Sequence, residues 1–307
     1  MTYFWRLIFS VIIAFSLAFL TPSANSSLLA NTQIPSHDFF KLGVNQMQQG
    51  NYQSAIENLT LAIQMQSDVS AAYSDRCLAY LQLQDYHAAI ADCTQALNLA
   101  PDSSQAYLNR GLAQYRQGNY LNAIADYNQA IALTPANFRA HYNRGIAFAE
   151  EGNYSQAITD YNLALTQISP TNTLLLADIY NDRGLAYLEL QNLAAAMKDF
   201  NLAIHFNAED DRAYFNRACA CERSGDILGA MHDFSQVIRL KPSNALAYVN
   251  RGVANYNLGY YQRAIADLQK ASAYFEQQKQ TLAYKKTLYL LKTVQQEISS
   301  VMEIASL

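Results

Sequence analysis

Six arginines recur along the chain, at Arg76, Arg110, Arg144, Arg183, Arg217 and Arg251, and four of the five steps between them are 34 residues. The fifth, from Arg144 to Arg183, is 39. Such a short period constrains the fold more than any single motif, because a unit of this size cannot bury its own apolar face and must stack on copies of itself. Glycine keeps the same period. Gly43, Gly111, Gly145, Gly184 and Gly252 share one position of the unit. Gly50, Gly118, Gly152, Gly225 and Gly259 share another, seven residues further on, so ten of the eleven glycines serve as punctuation.

Each unit reads as two amphipathic helices. The first carries an aromatic residue, then arginine and a small residue, as in AYLNRGLAQY (106–115). The second follows Asn51, Asp85, Asn119, Asn153, Asn192 or Asp226, whose side chains can accept from the free N–H groups of the first turn. Pro101, Pro135 and Pro242 stand between units, where a helix has ended. The arginines have companions. Asp92, Asp126, Asp160, Asp199, Asp233 and Asp267 each lie 16 residues beyond one, and the first unit, with Leu42 and Asn58 instead, has neither. Residues that occur together or not at all within one chain are expected to touch. The spacing predicts an Arg–Asp bridge inside each unit, and a bridge to the next unit, ending with Lys285 on Asp267, fits it as well. A row of arginines free to bind phosphate fits worse, because each has its own carboxylate.

These units resemble the tetratricopeptide repeat, whose consensus has an aromatic at position 4, Gly at 8, Ala at 20, an aromatic at 24, Ala at 27 and Pro at 32. The third unit matches at Tyr107, Gly111, Ala123, Tyr127, Ala130 and Pro135. The fourth matches at Gly145, Ala157, Tyr161 and Ala164, with His141 in place of the aromatic. The resemblance implies an all-α, right-handed superhelical solenoid of antiparallel helix pairs, with seven repeats over 36–278. Five extra residues at 172–176 lengthen the first helix of repeat five, and a capping helix and tail occupy 279–307. On the capping helix Tyr284, Leu288 and Leu291 lie near helical spacing, with Lys285 and Lys292 off the stripe.

The resemblance also implies a binding face. In such proteins positions 2, 5, 9, 12 and 13 of each first helix line a concave groove, with position 6 beside them. Carried onto this chain these are Phe40, Leu78, Leu81, Leu108, Leu112, Tyr115, Arg116, Arg139, Tyr142, Leu185, Leu188, Arg212, Phe215 and Tyr256, with Asn143 at position 6. Aromatic and aliphatic anchors with a few polar groups suit a peptide or protein partner. The clamp by which some members hold the acidic tails of heat-shock chaperones is absent: no repeat has Asn at position 9, and position 5 never carries Lys.

Other chemistry is poorly provided for. A net charge of −4 argues against nucleic acid, whose binding needs clustered Lys and Arg. The five histidines occupy five different repeat positions, and no glycine loop, metal-ligand spacing or nucleophile–base set is present, so no enzyme and no cofactor are expected. Asn207–Asp211 reads as a solvated acidic turn. Cys77 and Cys93, at positions 8 and 24 of repeat two, are the pair able to meet across a helix pair; Cys219 and Cys221 read as small buried hydrophobes. At the N-terminus Arg6 precedes fourteen uncharged residues, Leu7–Leu20, and then small polar ones. Residues 1–26 therefore read as a cleaved secretory signal or as a membrane anchor, with 27–35 a linker. In both cases the body is expected to be exported and to touch the membrane only through this segment. The expected function is an adaptor that binds a protein segment in the assembly of an envelope complex, as a monomer. The alternative is a structural protein that self-associates.

Overall fold

The computed structural model describes residues 36–305; the expected leader or anchor and its linker lie outside them. Repeat one contributes α1 (Ser36–Gln48) and α2 (Tyr52–Gln64), repeat two α3 (Val69–Gln82) and α4 (Tyr86–Leu99), and repeat three α5 (Ser104–Arg116) and α6 (Tyr120–Leu133). Repeat four is α7 (Phe138–Glu150) and α8 (Tyr154–Gln167), and repeat five is α9 (Thr173–Glu189) and α10 (Leu193–Phe206). Then come α11 (Asp211–Ser224) and α12 (Ile227–Leu240), α13 (Ala245–Asn257) and α14 (Tyr261–Gln277), and finally α15 (Thr281–Ala305). No strand occurs among the described residues, and none of their helices is long and apolar enough to cross a membrane.

Each helix packs on the next, and the first helices of successive repeats also touch, α1 on α3 and onward to α9 on α11. The odd-numbered helices therefore form the inner layer of a helical solenoid and the even-numbered ones its outer layer. Small residues set the separation. A Cβ added to Gly145 would lie 2.8 Å from the Tyr161 ring, so only glycine lets that ring fill the space between α7 and α8. In repeat two the same two positions hold Cys77 and Cys93, which form a disulfide across α3 and α4 with their Cα atoms 5.4 Å apart. Repeat five departs from its neighbours in length: α9 has 17 residues where α7 has 13, and the added start buries Leu176.

The turns inside the repeats end their first helices in the left-handed region. Gly118 (φ 81°), Gly152 and three other glycines supply it without strain, but repeats two and five use Gln84 (φ 62°) and Gln191 (φ 59°). Replacing Gln191 by glycine is expected to stabilise the chain by about 1 kcal/mol, read as a higher urea midpoint. The caps of the second helices are split. Asp85, Asn192 and Asp226 accept from the backbone N–H three residues on, whereas Asn51, Asn119 and Asn153 make no such bond. The Asn51 and Asn119 amides instead donate to the oxygens of Gln46 and Gln117. Among the described residues of α15, Thr287 and Val294 are buried and Tyr284 and Leu291 half-buried, while Leu288, expected inward, is 38% exposed.

Candidate peptide-binding groove

The recurring arginines come first, because their engagement decides what the groove has left. Each guanidinium grips the aspartate of its own repeat through two parallel bonds, with Nε–Oδ2 distances of 2.6–2.9 Å and Nη2–Oδ1 distances of 2.6–2.8 Å. Asp267 thus takes Arg251 and also Asn255, while Lys285 lies exposed. The third nitrogen reaches backwards. Nη1 donates to Thr60, Thr94, Asn128, Asn162, Asn201 or Ser235, at repeat position 25 of the preceding unit. Each arginine therefore ties its own helix pair together and then ties that pair to the repeat before it. In Arg76, Arg110 and Arg217 the hydrogen bond to aspartate outweighs burial and holds the guanidinium pKa above its ordinary value. The tyrosine at position 4 lies beside it, as Tyr107 does 5.6 Å from Arg110. His141 stands at that position in repeat four; its Nε2 meets the Pro135 carbonyl at 3.0 Å, and its Nδ1 lies 3.5 Å from Asp160. All three nitrogens of each of these arginines are thus engaged in structural hydrogen bonds.

The inner face presents two adjoining cavities. One, of about 550 Å³, runs from α5 to α11, with Tyr115, Arg116, Tyr142, Leu185 and Arg212 among its lining residues. The other, of about 400 Å³, shares Asp182, Leu185 and Arg212 and adds Phe215. Six residues expected in the groove thus come together. Phe40, Leu78 and Leu112 lie further toward the first repeats, half-buried. Arg139 is exposed and stacks on Phe138, Asn143 is half-buried, and the Tyr256 hydroxyl donates to Glu297 of α15. Three expected residues are largely covered, although Leu81 still lines a cavity of about 260 Å³ with Leu112 and Arg116. Leu81, Leu108 and Leu188 are buried, each covered by the next repeat, whereas Tyr142 and Phe215 at position 5 and Tyr115 at position 12 face the cavities. Leu81 packs with Ala113, Leu108 with Ala147, and Leu188 with Ala220.

The floor where the cavities meet carries a polar network that the pattern of the repeats does not announce. Asp182 accepts from the Tyr142 hydroxyl at 2.7 Å and from the Asn181 amide at 3.2 Å; Asn181 in turn accepts from Asn216 at 2.9 Å. Arg212 does not bond to it. That guanidinium is held by Asp210, at 2.8 and 3.0 Å, and by Asp178. Burial raises the Asp182 pKa above the usual carboxylate range against the opposing pull of these donors and of Arg212, with Asp178 pushing the same way as burial. Burial also raises Tyr142 and Tyr161, and pushes Tyr115, which donates to Glu150 at 3.3 Å, up to about 12. A buried carboxylate with a raised pKa makes the folded state less stable once it ionises. Stability is therefore gained as pH falls through the folded pKa of Asp182. Asp182→Asn removes that cost, so its unfolding midpoint at neutral pH is expected to rise by roughly 1–3 °C, with the gap closing on acidification. Among the described residues no group of His, Cys, Asp and Glu is placed to hold a metal ion.

Comparison with known proteins follows the same lines. The tetratricopeptide repeat model matches residues 40–104, 74–138, 108–173 and 215–277, and a second model of that repeat matches 177–210. No curated protein matches the chain. Among solved structures, a tetratricopeptide repeat protein from Parabacteroides merdae ATCC 43184 is 20% identical, covering 82% of this chain and 98% of its own with a TM-score of 0.62. YrrB, a tetratricopeptide protein with an unusual peptide-binding site, is 22% identical over 63% of this chain and 97% of its own, with a TM-score of 0.50. MamA is 22% identical over 55% of this chain and 96% of its own, with a TM-score of 0.51. At these identities the likeness concerns the fold. Matched over well more than half its length, the chain belongs to the tetratricopeptide repeat family.

Proposed function

We propose that the chain is an exported scaffold that holds a segment of another envelope or membrane protein in its inner groove while a complex assembles. The observation that carries the reading is the pair of adjoining cavities on the inner face, lined by aromatic and aliphatic side chains with a few convergent polar groups. The arginines that would otherwise offer an anion site are engaged by aspartates, and no nucleophile stands beside a base there, so the role is binding. Export is supported by the charge and hydropathy of residues 1–26. The Cys77–Cys93 disulfide supports it too, since such bonds persist in oxidising compartments. The intact mass of the protein from fractionated cells of its source tests export: a chain beginning near Ser27 in the soluble exported fraction, or a full-length chain in the membrane, agrees with it. Full-length protein in the cytosol overturns it.

Self-association is the second reading, and the outer face of α15 favours it. Leu282 (67% exposed) and Tyr289 (75%) stand there beside Lys285 and Lys286, an exposed apolar pair flanked by positive charge. Light scattering of the purified chain separates the two, because the scaffold is a monomer without its partner.

A further inference from the structure

Asp182 departs from the amide most common at its repeat position. Position 6 is Asn109, Asn143, Asn216 and Asn250 in four of the other repeats, with Lys41 in the first and Asp75 in the second; Asp182 is the acid of this position that stands on the floor where the two cavities meet. The charge has no cation bonded to it. Its hydrogen-bond donors, Tyr142 and Asn181, are neutral, and Arg212 is taken by Asp178 and Asp210. A second observation points into the same cavity. Tyr161 lines it, and among the described residues its hydroxyl makes no hydrogen bond, as the buried Tyr127 hydroxyl at the same position of repeat three makes none. Two more carboxylates belong to the wall: Glu150, bonded to the Tyr115 hydroxyl, and Glu189, with a long 3.4 Å contact to Arg223. The remaining wall suits an extended aliphatic stem and a cationic head, with Ile146 and Leu185 for the one and the tyrosine faces for the other. The other basic lining residue, Arg116, belongs to repeat three, two repeats from Asp182.

We propose that this cavity receives a basic side chain of the bound segment, a lysine ammonium or arginine guanidinium, with Asp182 as its counter-charge and Tyr161 as a further acceptor. The proposal rests on the groove reading above and makes it specific: the partner segment carries Lys or Arg at one fixed place among apolar residues. It also gives a use to a carboxylate whose charge an asparagine would relieve. A site that binds a cation retains the unpaired carboxylate in the free state and satisfies it in the complex.

The test is selection of a random-decapeptide display library on the full-length chain, followed by titration of the selected peptides. Enrichment of Lys or Arg at one position is expected. Replacing that residue by norleucine or citrulline is expected to weaken binding to the native chain about tenfold, and less than about twofold to an Asp182→Asn chain. Tyr161→Phe is expected to lose a smaller part of the same preference. Asparagine already stands at this position in four repeats, so the Asp182→Asn chain folds, and its thermal midpoint reports that directly. Peptides without basic enrichment, or an equal loss in native and Asp182→Asn chains, overturn the proposal while leaving the groove reading standing. Peptides that bind undiminished to a Leu185→Trp chain, whose groove is filled, overturn both.

Discussion

Arg183→Leu is expected to destabilise the chain by about 3–5 kcal/mol, because it strands the Asp199 carboxylate, whose side chain is 2% exposed, without a counter-charge. The loss should fall on two repeats. Nε and Nη2 of Arg183 hold Asp199 in repeat five, and Nη1 holds Asn162 in repeat four, so both the helix pair and its junction loosen. In a stacked array stability is the sum of repeat and interface contributions, and a break at the fifth of seven repeats should separate the unfolding of the two flanks. Urea titration by far-UV circular dichroism checks this: a single transition becomes two. The double change Arg183→Leu with Asp199→Leu should recover most of the loss, since a buried pair exchanged for packed apolar side chains is often neutral. If Arg183→Leu alone costs less than about 1 kcal/mol, the pair is an ornament of the surface and not a tie.

Removing the Cys77–Cys93 bond is the second large effect. The cysteines are 16 residues apart, and opening a loop of that size costs about 3 kcal/mol through the entropy of the unfolded chain. Repeat two has no alternative filling at this place. Where repeats three and four set a tyrosine ring over glycine, it has only the two sulfurs, and reduction leaves two small thiols in that space. Hydrogen exchange under reducing conditions is expected to accelerate in α3 and α4 and to leave α9–α12 unchanged. Cys77→Gly with Cys93→Tyr restores the pairing of the neighbouring repeats and should make repeat two insensitive to reductant. Uniform exchange across the array on reduction would mean that the bond does not act locally.

The parts of this architecture most legible in the sequence are those that repeat one residue type at one position. Arginine and aspartate at a fixed spacing, and glycine at two positions, can be read directly because a single steric or charge requirement recurs in each unit. The backward reach of the arginine is harder to see, since its acceptor is Thr60, Thr94, Asn128, Asn162, Asn201 or Ser235: three residue types that share only a small hydrogen-bonding group. The groove was legible as a face and not residue by residue. Leu81, Leu108 and Leu188 have the same composition signal as Leu185, and only the packing of the next repeat decides which are covered. Asp182 was not singled out by the pattern, since four repeats have an amide at its position but repeat two has Asp75, and its importance comes from Tyr142, 40 residues away in the chain, whose hydroxyl it accepts.

The inner groove as the binding face is tested most directly by photo-crosslinking in cells of the source, with a photoreactive side chain at position 185 or, as a control, at position 121. Leu185 lines both cavities, while Leu121 is 69% exposed on α6 in the outer layer. A discrete adduct from position 185, absent from position 121 and reduced in an Asp182→Asn chain, is the expected result. Adducts of equal yield from both positions, or from position 121 alone, would contradict a groove-bound partner. An adduct at 185 of twice the chain's own mass would establish the second copy as the occupant.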